Sequence, residues 1–317
     1  MTISAVIPTL NAGANLNNLL RQLRLQDLPL EEIIIVDSSS NDHTCEIARQ
    51  YGCVVRVIDR KTFSHGYARN LGASLSHADI FAFFTQDVVP QGRNFFECLT
   101  RPLREQRAMA AYARQMAGEH ATPFEKYHRE FNYPATKTYF PENSNSIHHY
   151  RMSNAASAIC KEAFQGLGGF RESVIMNEDT IIAAELIHRG FSVSYVNDAV
   201  VIHNHDYSIL QNARRYFDLG VSMRQASDIF SSVQASGEGL RYLSGLIKYL
   251  HHNGHDMKIP RALFESAAKW LYYYAGKNYR ILPDNLVMAC SMHRAYWSRT
   301  PASVRAYDMT KSAQTGK

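Results

Sequence analysis

The sequence predicts an α/β protein: a parallel, doubly wound sheet followed by a helical C-terminal region. Two observations carry the sheet. Short apolar or β-branched runs begin near residues 3, 33, 54 and 80. Each gap between them is long enough for one crossover helix, which parallel strands require. A third observation carries the helical region. From Tyr207 the apolar pattern turns helical, with breaks near Gly254, Pro260 and Pro283.

The elements follow in order. Residues 3–7 form a short apolar strand. Leu16, Leu19, Leu20 and Leu23 then recur at helical spacing. Residues 33–36 are a β-branched run, suited to a strand buried on both faces. Ser40-Asn41-Asp42 opens a helix that reaches Tyr51, and Gly52 stops it. Residues 54–58 give the third strand, 67–76 a helix and 80–84 the fourth strand. Further on, Phe95, Phe96, Leu99 and Leu103 indicate a helix, and 109–114 a strand. Residues 117–150 are polar, aromatic and irregular, as a substrate-facing insertion would be. Residues 178–189 read as a helix stopped by Gly190. Two short strands follow at 192–196 and 199–203.

Composition narrows the class. The 317 residues are 45% apolar and 20% charged, which excludes disorder and coiled coil. No apolar run reaches the ~18 residues of a membrane span. The start has neither a basic n-region nor an apolar signal core, so a cytoplasmic chain is expected. Five cysteines, none in a CxxC pair, fit reduced thiols and exclude a zinc knuckle. Charge is uneven. Residues 1–206 carry 19 Lys and Arg against 22 Asp and Glu, whereas 207–317 carry 15 against 7. A basic C-terminal third suits an anionic partner such as a membrane surface or a lipid pyrophosphate, or simply a solvated helical face. No nucleic-acid recognition motif accompanies it.

In an open α/β sheet, ligands bind at the carboxyl ends of the strands. The first strand ends in Pro8-Thr9-Leu10-Asn11, the second in Asp37-Ser38-Ser39-Ser40, and the fourth in Thr85-Gln86-Asp87. Asp37 and Asp87 are carboxylates at the ends of apolar runs on separate strands, and together they suggest a site. The first turn lacks G-x-G-x-x-G, and no P-loop or G-x-S-x-G elbow occurs.

Val6-Ile7-Pro8-Thr9-Leu10-Asn11 and Ile35-Val36-Asp37-Ser38-Ser39-Ser40-Asn41-Asp42 resemble the opening of family 2 glycosyltransferases. The likeness continues through Phe63-Ser64-His65-Gly66-Tyr67-Ala68-Arg69-Asn70, Thr85-Gln86-Asp87, Gly168-Gly169-Phe170, Asn177-Glu178-Asp179 and Val201-Ile202-His203-Asn204-His205. The Phe-x-His-Gly-x-x-Arg-Asn and Thr-Gln-Asp elements resemble bacterial rhamnosyltransferases in particular. Ser291-Met292-His293 also fits. The resemblance implies a GT-A fold: a Rossmann-like nucleotide-sugar-binding domain at 1–206, its donor half about 1–115 and its acceptor half about 116–206. Residues 207–317 would be a helical extension facing acceptor or membrane.

It also implies roles. Thr9 and Asp37 would hold the nucleobase and ribose, since a carboxylate accepts from base N–H and sugar hydroxyl groups. Arg69 would lie beside the base or diphosphate, and Gln86 would help bind the nucleotide sugar. Asp87 ends the family's D-x-D motif and would bind Mg²⁺ or Mn²⁺. The first Asp of that motif is Thr85 here, a departure that weakens the metal assignment. His203, or alternatively His205, would be a further ligand. Asp179 would be the general base. On charge alone, Glu178 and Asp179 equally suit a helix N-terminus. Asn154, Glu178, Arg214 and Arg215 are candidates for acceptor or phosphate contacts.

The implied activity is inverting transfer of a sugar, L-rhamnose from dTDP-L-rhamnose, to a glycan or polyprenyl-linked acceptor. The place would be the inner face of the bacterial plasma membrane, in surface polysaccharide synthesis. Rival readings are a transferase using another UDP- or dTDP-sugar and a catalytically silent nucleotide-sugar-binding protein.

Overall fold

The computed structural model describes residues 1–136, 147–204, 207–230 and 237–299. Eight strands form one mixed sheet in the order β3-β2-β1-β4-β7-β6-β8-β5. They are β1 (Ile3–Thr9), β2 (Glu32–Asp37), β3 (Val54–Val57), β4 (Ile80–Phe84), β5 (Val88–Pro90), β6 (Ala110–Met116), β7 (Ala156–Cys160) and β8 (Val193–His203). The helices of this part are α1 (Gly13–Arg24), α2 (Thr44–Gln50), α3 (His65–Ser74), α4 (Phe95–Arg104), α5 (Pro123–Asn132), α6 (Lys161–Gly166) and α7 (Glu178–His188).

The first four strands are parallel, as their spacing predicts. Beyond β4 the sheet changes character. β7 runs antiparallel to both β4 and β6, and β5 antiparallel to β8. Neither β5 nor β7 is expected from sequence. β5 has three residues, and β7 reads Ala-Ser-Ala-Ile-Cys, too poor in β-branched residues to signal a strand. The two strands expected at 192–203 are one, β8, whose pairing with β6 shifts register after Ala113. Part of the supposedly irregular 117–150 segment is α5. Thr122 Oγ1 caps it by accepting from Glu125 N at 3.3 Å, and Pro123 occupies its first turn.

The core lies on both faces of the sheet. The α1 stripe of Leu16, Leu19, Leu20 and Leu23 is fully buried, as are Phe81, Phe83, Phe84, Phe95 and Phe96. Gly72 lets α3 approach β1: a Cβ there would sit 2.3 Å from a methyl of Val6.

The C-terminal part is helical, as expected: α8 (Ile209–Gln225), α9 (Ser227–Phe230), α10 (Glu238–His252), α11 (Ile259–Lys277), α12 (Asp284–Cys290) and α13 (Arg294–Arg299). A capping box of Ser208 and Gln211 starts α8. α8 and α11 meet backbone to backbone at Gly220 and Gly276. A Cβ on Gly276 would lie 2.0 Å from Phe217 O, and one on Gly220 2.2 Å from Tyr273 O. A second core of Ile175, Phe217, Val221, Tyr279, Val287 and Trp297 joins these helices to the segment before α7.

Candidate functional site

Sheet topology assembles the site. Thr9 and Asp37 are register partners at the carboxyl ends of β1 and β2. Thr9 Oγ1 donates to Asp37 Oδ1 at 2.9 Å, and both residues are buried. Ser40 adds its hydroxyl at 2.6 Å and its backbone N–H at 2.7 Å to the same carboxylate. That leaves Asp37 acceptor capacity for a ligand donor. Gln86 braces the neighbouring turn. Its amide binds both backbone groups of Leu10, accepting from N at 2.8 Å and donating to O at 3.2 Å. It fixes the turn after β1 and so positions Thr9.

Because β7 is antiparallel to β4, its first residues lie at the carboxyl end of β4, where Phe84 pairs with Ala156. Thr85 N donates to Ala155 O, and the neighbouring Asn154 N donates to Asp179 Oδ2 at 3.0 Å. The metal-motif turn and the expected base are therefore linked through two consecutive residues. Asp179 sits in the first turn of α7, and Thr180 N also donates to it at 2.8 Å. Burial, with Glu178 adjacent, pushes its carboxyl up to about 6, against the opposing pull of these two N–H groups and of Arg69.

Arg69 is buried, and its Nη1 lies 3.0 Å from Glu178 Oε1. Asn154 Nδ2 donates to the same carboxylate oxygen at 3.2 Å. The Phe-x-His-Gly-x-x-Arg-Asn element works as a clamp. Ser64 caps α3. Gly66 abuts the Arg171 carbonyl, 2.5 Å from where a Cβ would lie. Asn70 accepts from Phe170 N at 2.8 Å and donates to Phe170 O at 2.9 Å. α3 is thereby locked to the chain that leads into Glu178 and Asp179.

His203 comes beside Asp87 because Val88 pairs with His203 across β5 and β8. Its Nε2 stands 3.4 Å from Asp87 Oδ1. Its Nδ1 lies 2.8 Å from Gln115 Oε1. That amide is oriented by Nε2 donating to Ser153 Oγ at 2.8 Å and by Arg129 donating to Oε1. An amide oxygen only accepts, so His203 donates from Nδ1 to Gln115, and its Nε2 faces Asp87. Burial lowers the His203 pKa below the usual imidazole value, and the Asp87 contact opposes this. A carboxylate and an imidazole nitrogen side by side, with the other ring nitrogen held by an oriented acceptor, are a donor set that suits a divalent cation. Among the described residues, no third His, Cys, Asp or Glu completes a cluster. His205 lies outside the described residues.

Arg215 and Arg214 separate. Arg215 lines a cavity of about 150 Å³ with His203, Arg129, Tyr207, Tyr216 and Lys269. Arg214 is turned to Ala289 O at 3.1 Å and does not line that cavity.

Two signs mark the strand ends as a ligand site. Ser38 Oγ, Arg69 Nε and Thr85 Oγ1 are buried without a hydrogen-bond partner, a cost that a bound polar ligand would relieve. Asn11, Ser39 and Asn177 take left-handed backbone angles there, three of the four such non-glycine residues described.

Sequence reasoning missed Gln115, Arg129 and Asp218. Gln115 falls one residue past the expected strand, and a polar side chain ending an alanine-rich strand was the available signal. Asp218 is fully buried on α8 beside Phe217. It accepts from Ser291 Oγ at 2.6 Å, Met292 N at 2.9 Å and His293 N at 3.0 Å. The loop it holds sets the His293 ring edge-on to His65, 5.4 Å between centroids. Burial lowers both imidazoles to about 3, so both are neutral.

The family model of glycosyl transferase family 2 matches residues 4–168. The O-antigen chain rhamnosyltransferase WbaN of Salmonella anatum is 34% identical over 304 residues, 94% of this chain and 96% of that protein. RfbN of Salmonella typhimurium, also an O-antigen chain rhamnosyltransferase, has the same identity and coverage. Among solved structures, the mannosyltransferase PcManGT from Pyrobaculum calidifontis, in complex with GDP-Man and Mn²⁺, superposes with a TM-score of 0.55. It is 17% identical, and the match covers 98% of this chain and 86% of that one. Residues 1–349 of S. aureus TarS superpose at 0.51 with 14% identity, over 88% and 91% of the two chains. The strand-end site thus belongs to a member of glycosyltransferase family 2, of GT-A fold, that resembles the O-antigen rhamnosyltransferases.

Proposed function

We propose that the chain is an inverting rhamnosyltransferase that moves L-rhamnose from dTDP-L-rhamnose to a growing, lipid-linked glycan. Its setting would be surface polysaccharide synthesis at the inner face of the plasma membrane. Residues 1–206 would be the transferase domain, with the donor bound by about 1–115 and the acceptor by 116–206, and 207–317 would face acceptor or membrane. The relatives' names support the sugar and the glycan. The observation that carries the chemistry is the Thr85–Ala155 and Asn154–Asp179 pair of hydrogen bonds, which links the donor turn to a desolvated carboxylate.

In this reading Asp37 and Thr9 orient the nucleoside, and Ser38 and Thr85 are placed to donate to the donor. Asp179, ionised above about pH 6, accepts the acceptor hydroxyl proton. The freed oxygen attacks the anomeric carbon from the face opposite the phosphate. The bond to the phosphate oxygen breaks, and the nucleoside diphosphate leaves with the electron pair. One displacement inverts the configuration. Asp87 and His203 would hold Mg²⁺ or Mn²⁺, whose charge offsets that developing on the leaving diphosphate. Arg215, which lines the cavity beside His203, would add positive potential, whereas the charge of Arg129 is offset by Glu125. A donor panel tests the reading: nucleoside diphosphate release should be greatest with dTDP-L-rhamnose and an O-antigen-type acceptor. Preference for a UDP-hexose would replace the assigned sugar.

A further inference from the structure

α11 packs one face on α8 and leaves the other open. Leu263, Phe264, Trp270, Leu271 and Tyr274 are between 47% and 66% exposed. At 100° per residue they fall within an arc of about 120°. Met257 and Ile281, just beyond the two ends of the helix, are 95% and 82% exposed. An isolated exposed apolar residue needs no explanation, but a continuous helical face of them does.

Charge borders this face. Lys277 stands exposed at one edge, Lys258 is exposed just before the helix, and Lys248 is exposed on α10, whereas Arg261 stacks on Phe124 and lines the cavity. Residues 237–282 hold seven Lys and Arg against three Asp and Glu. One of those acids, Glu265, is buried and bound by Lys269 at 3.0 Å, so it does not reach this surface. Lys269 itself faces the cavity and not this surface. No described helix is long and apolar enough to cross a membrane. An amphipathic helix with an aromatic and aliphatic face, a basic edge and no outward acid is suited to lie in the headgroup region of an anionic bilayer.

We propose that the Leu263–Phe264–Trp270–Leu271–Tyr274 face of α11 docks the protein on an anionic lipid surface. The inference deepens the lipid-linked acceptor reading given above, and its test is independent of donor chemistry. Trp270 supplies the probe, because the chain's other tryptophan, Trp297, is 3% exposed. The intact chain is titrated with phosphatidylcholine vesicles and with mixed phosphatidylcholine–phosphatidylglycerol vesicles, each carrying brominated acyl chains. Quenching and a blue shift are expected with the anionic vesicles, reversed by salt and absent in Trp270→Phe. The double variant Phe264→Glu/Leu271→Glu should bind those vesicles at least about tenfold more weakly, the loss expected from removing one buried apolar side chain. Binding of dTDP-L-rhamnose, measured by calorimetry, should not change. Failure of donor binding in the wild-type chain would strike the functional reading and leave the docking face standing. Wild-type protein that is unquenched by either vesicle overturns the proposal. So does a variant that still folds and binds vesicles as tightly as wild type. Wild-type dimers that the double variant converts to monomers, without vesicle binding by either, would make the face a contact between copies instead.

Discussion

Arg69 and Glu178 form a buried ion pair, 3.0 Å between Nη1 and Oε1, directly beside the residue assigned as base. The arginine that the family likeness places near the donor thus also neutralises the neighbour of Asp179. Its Nε stays without a protein partner, so one side chain can serve the fold and the ligand together.

Arg69→Ala should therefore destabilise as well as impair. Removing one member of a buried pair leaves the other charge uncompensated, at about 3–5 kcal/mol. Urea unfolding should show that loss. Arg69→Met combined with Glu178→Gln should recover most of it while donor affinity stays low. Full stability in the single variant would mean that the pair is not formed in solution.

Asp179→Asn keeps one of the two oxygens that accept from Asn154 N and Thr180 N, and it cannot take a proton. Turnover should fall by roughly 10²–10⁴, with donor binding intact. Turnover within a few-fold of wild type would remove Asp179 from the mechanism.

The pH profile follows from the same carboxyl. Its folded value, about 6, lies above the ordinary 3.8. The base is thus protonated below about pH 6 and ionised above. kcat/KM should rise about tenfold per unit up to that point and level off beyond it. Stability has the opposite slope. Between about pH 4 and 6 the folded state holds the proton more tightly than the unfolded chain, so this group's contribution declines as pH rises through that window. A kcat/KM plateau that extends unchanged to pH 5 would contradict the assignment.

Chelation should abolish transfer, and Mg²⁺ or Mn²⁺ should restore it. Asp87→Ala should lose more than His203→Ala, since the carboxylate brings charge as well as a donor atom. Gln115→Met replaces neither ligand yet frees the His203 Nδ1–H. It should weaken cation binding about 10–100-fold, read by titrating the metal into the chelated enzyme. An unchanged metal requirement would show that Gln115 does not set the imidazole.

The parallel half of the sheet was legible because its strands carry apolar or β-branched runs and its turns carry recognisable residues. Thr9, Asp37, Asp87, His203 and Asp179 could be named because motifs resembling the family's fall on them; strand-end position alone pointed only to Asp37 and Asp87. The antiparallel β7 was not legible, since alanine and serine carry little strand signal. Without it, nothing in the sequence joins Asn154 to Asp179. Asp218 and Gln115 were hidden for a related reason: each acts through a backbone or side chain more than 70 positions away. The bond of Gln86 to Leu10 was hidden in the same way, since the two lie 76 positions apart.

The contact of Gly220 with Gly276 has a consequence for how this protein can diverge. Side chains around α8 and α11 can drift through compensating changes in size, but these two positions admit no growth, because what they touch is main chain. Even a methyl group would pry the helices apart and, through Phe217 and Val221, disturb the segment that enters Asp179. A library of random variants should therefore show two sites far from the chemistry at which even alanine is lost from the active, folded set.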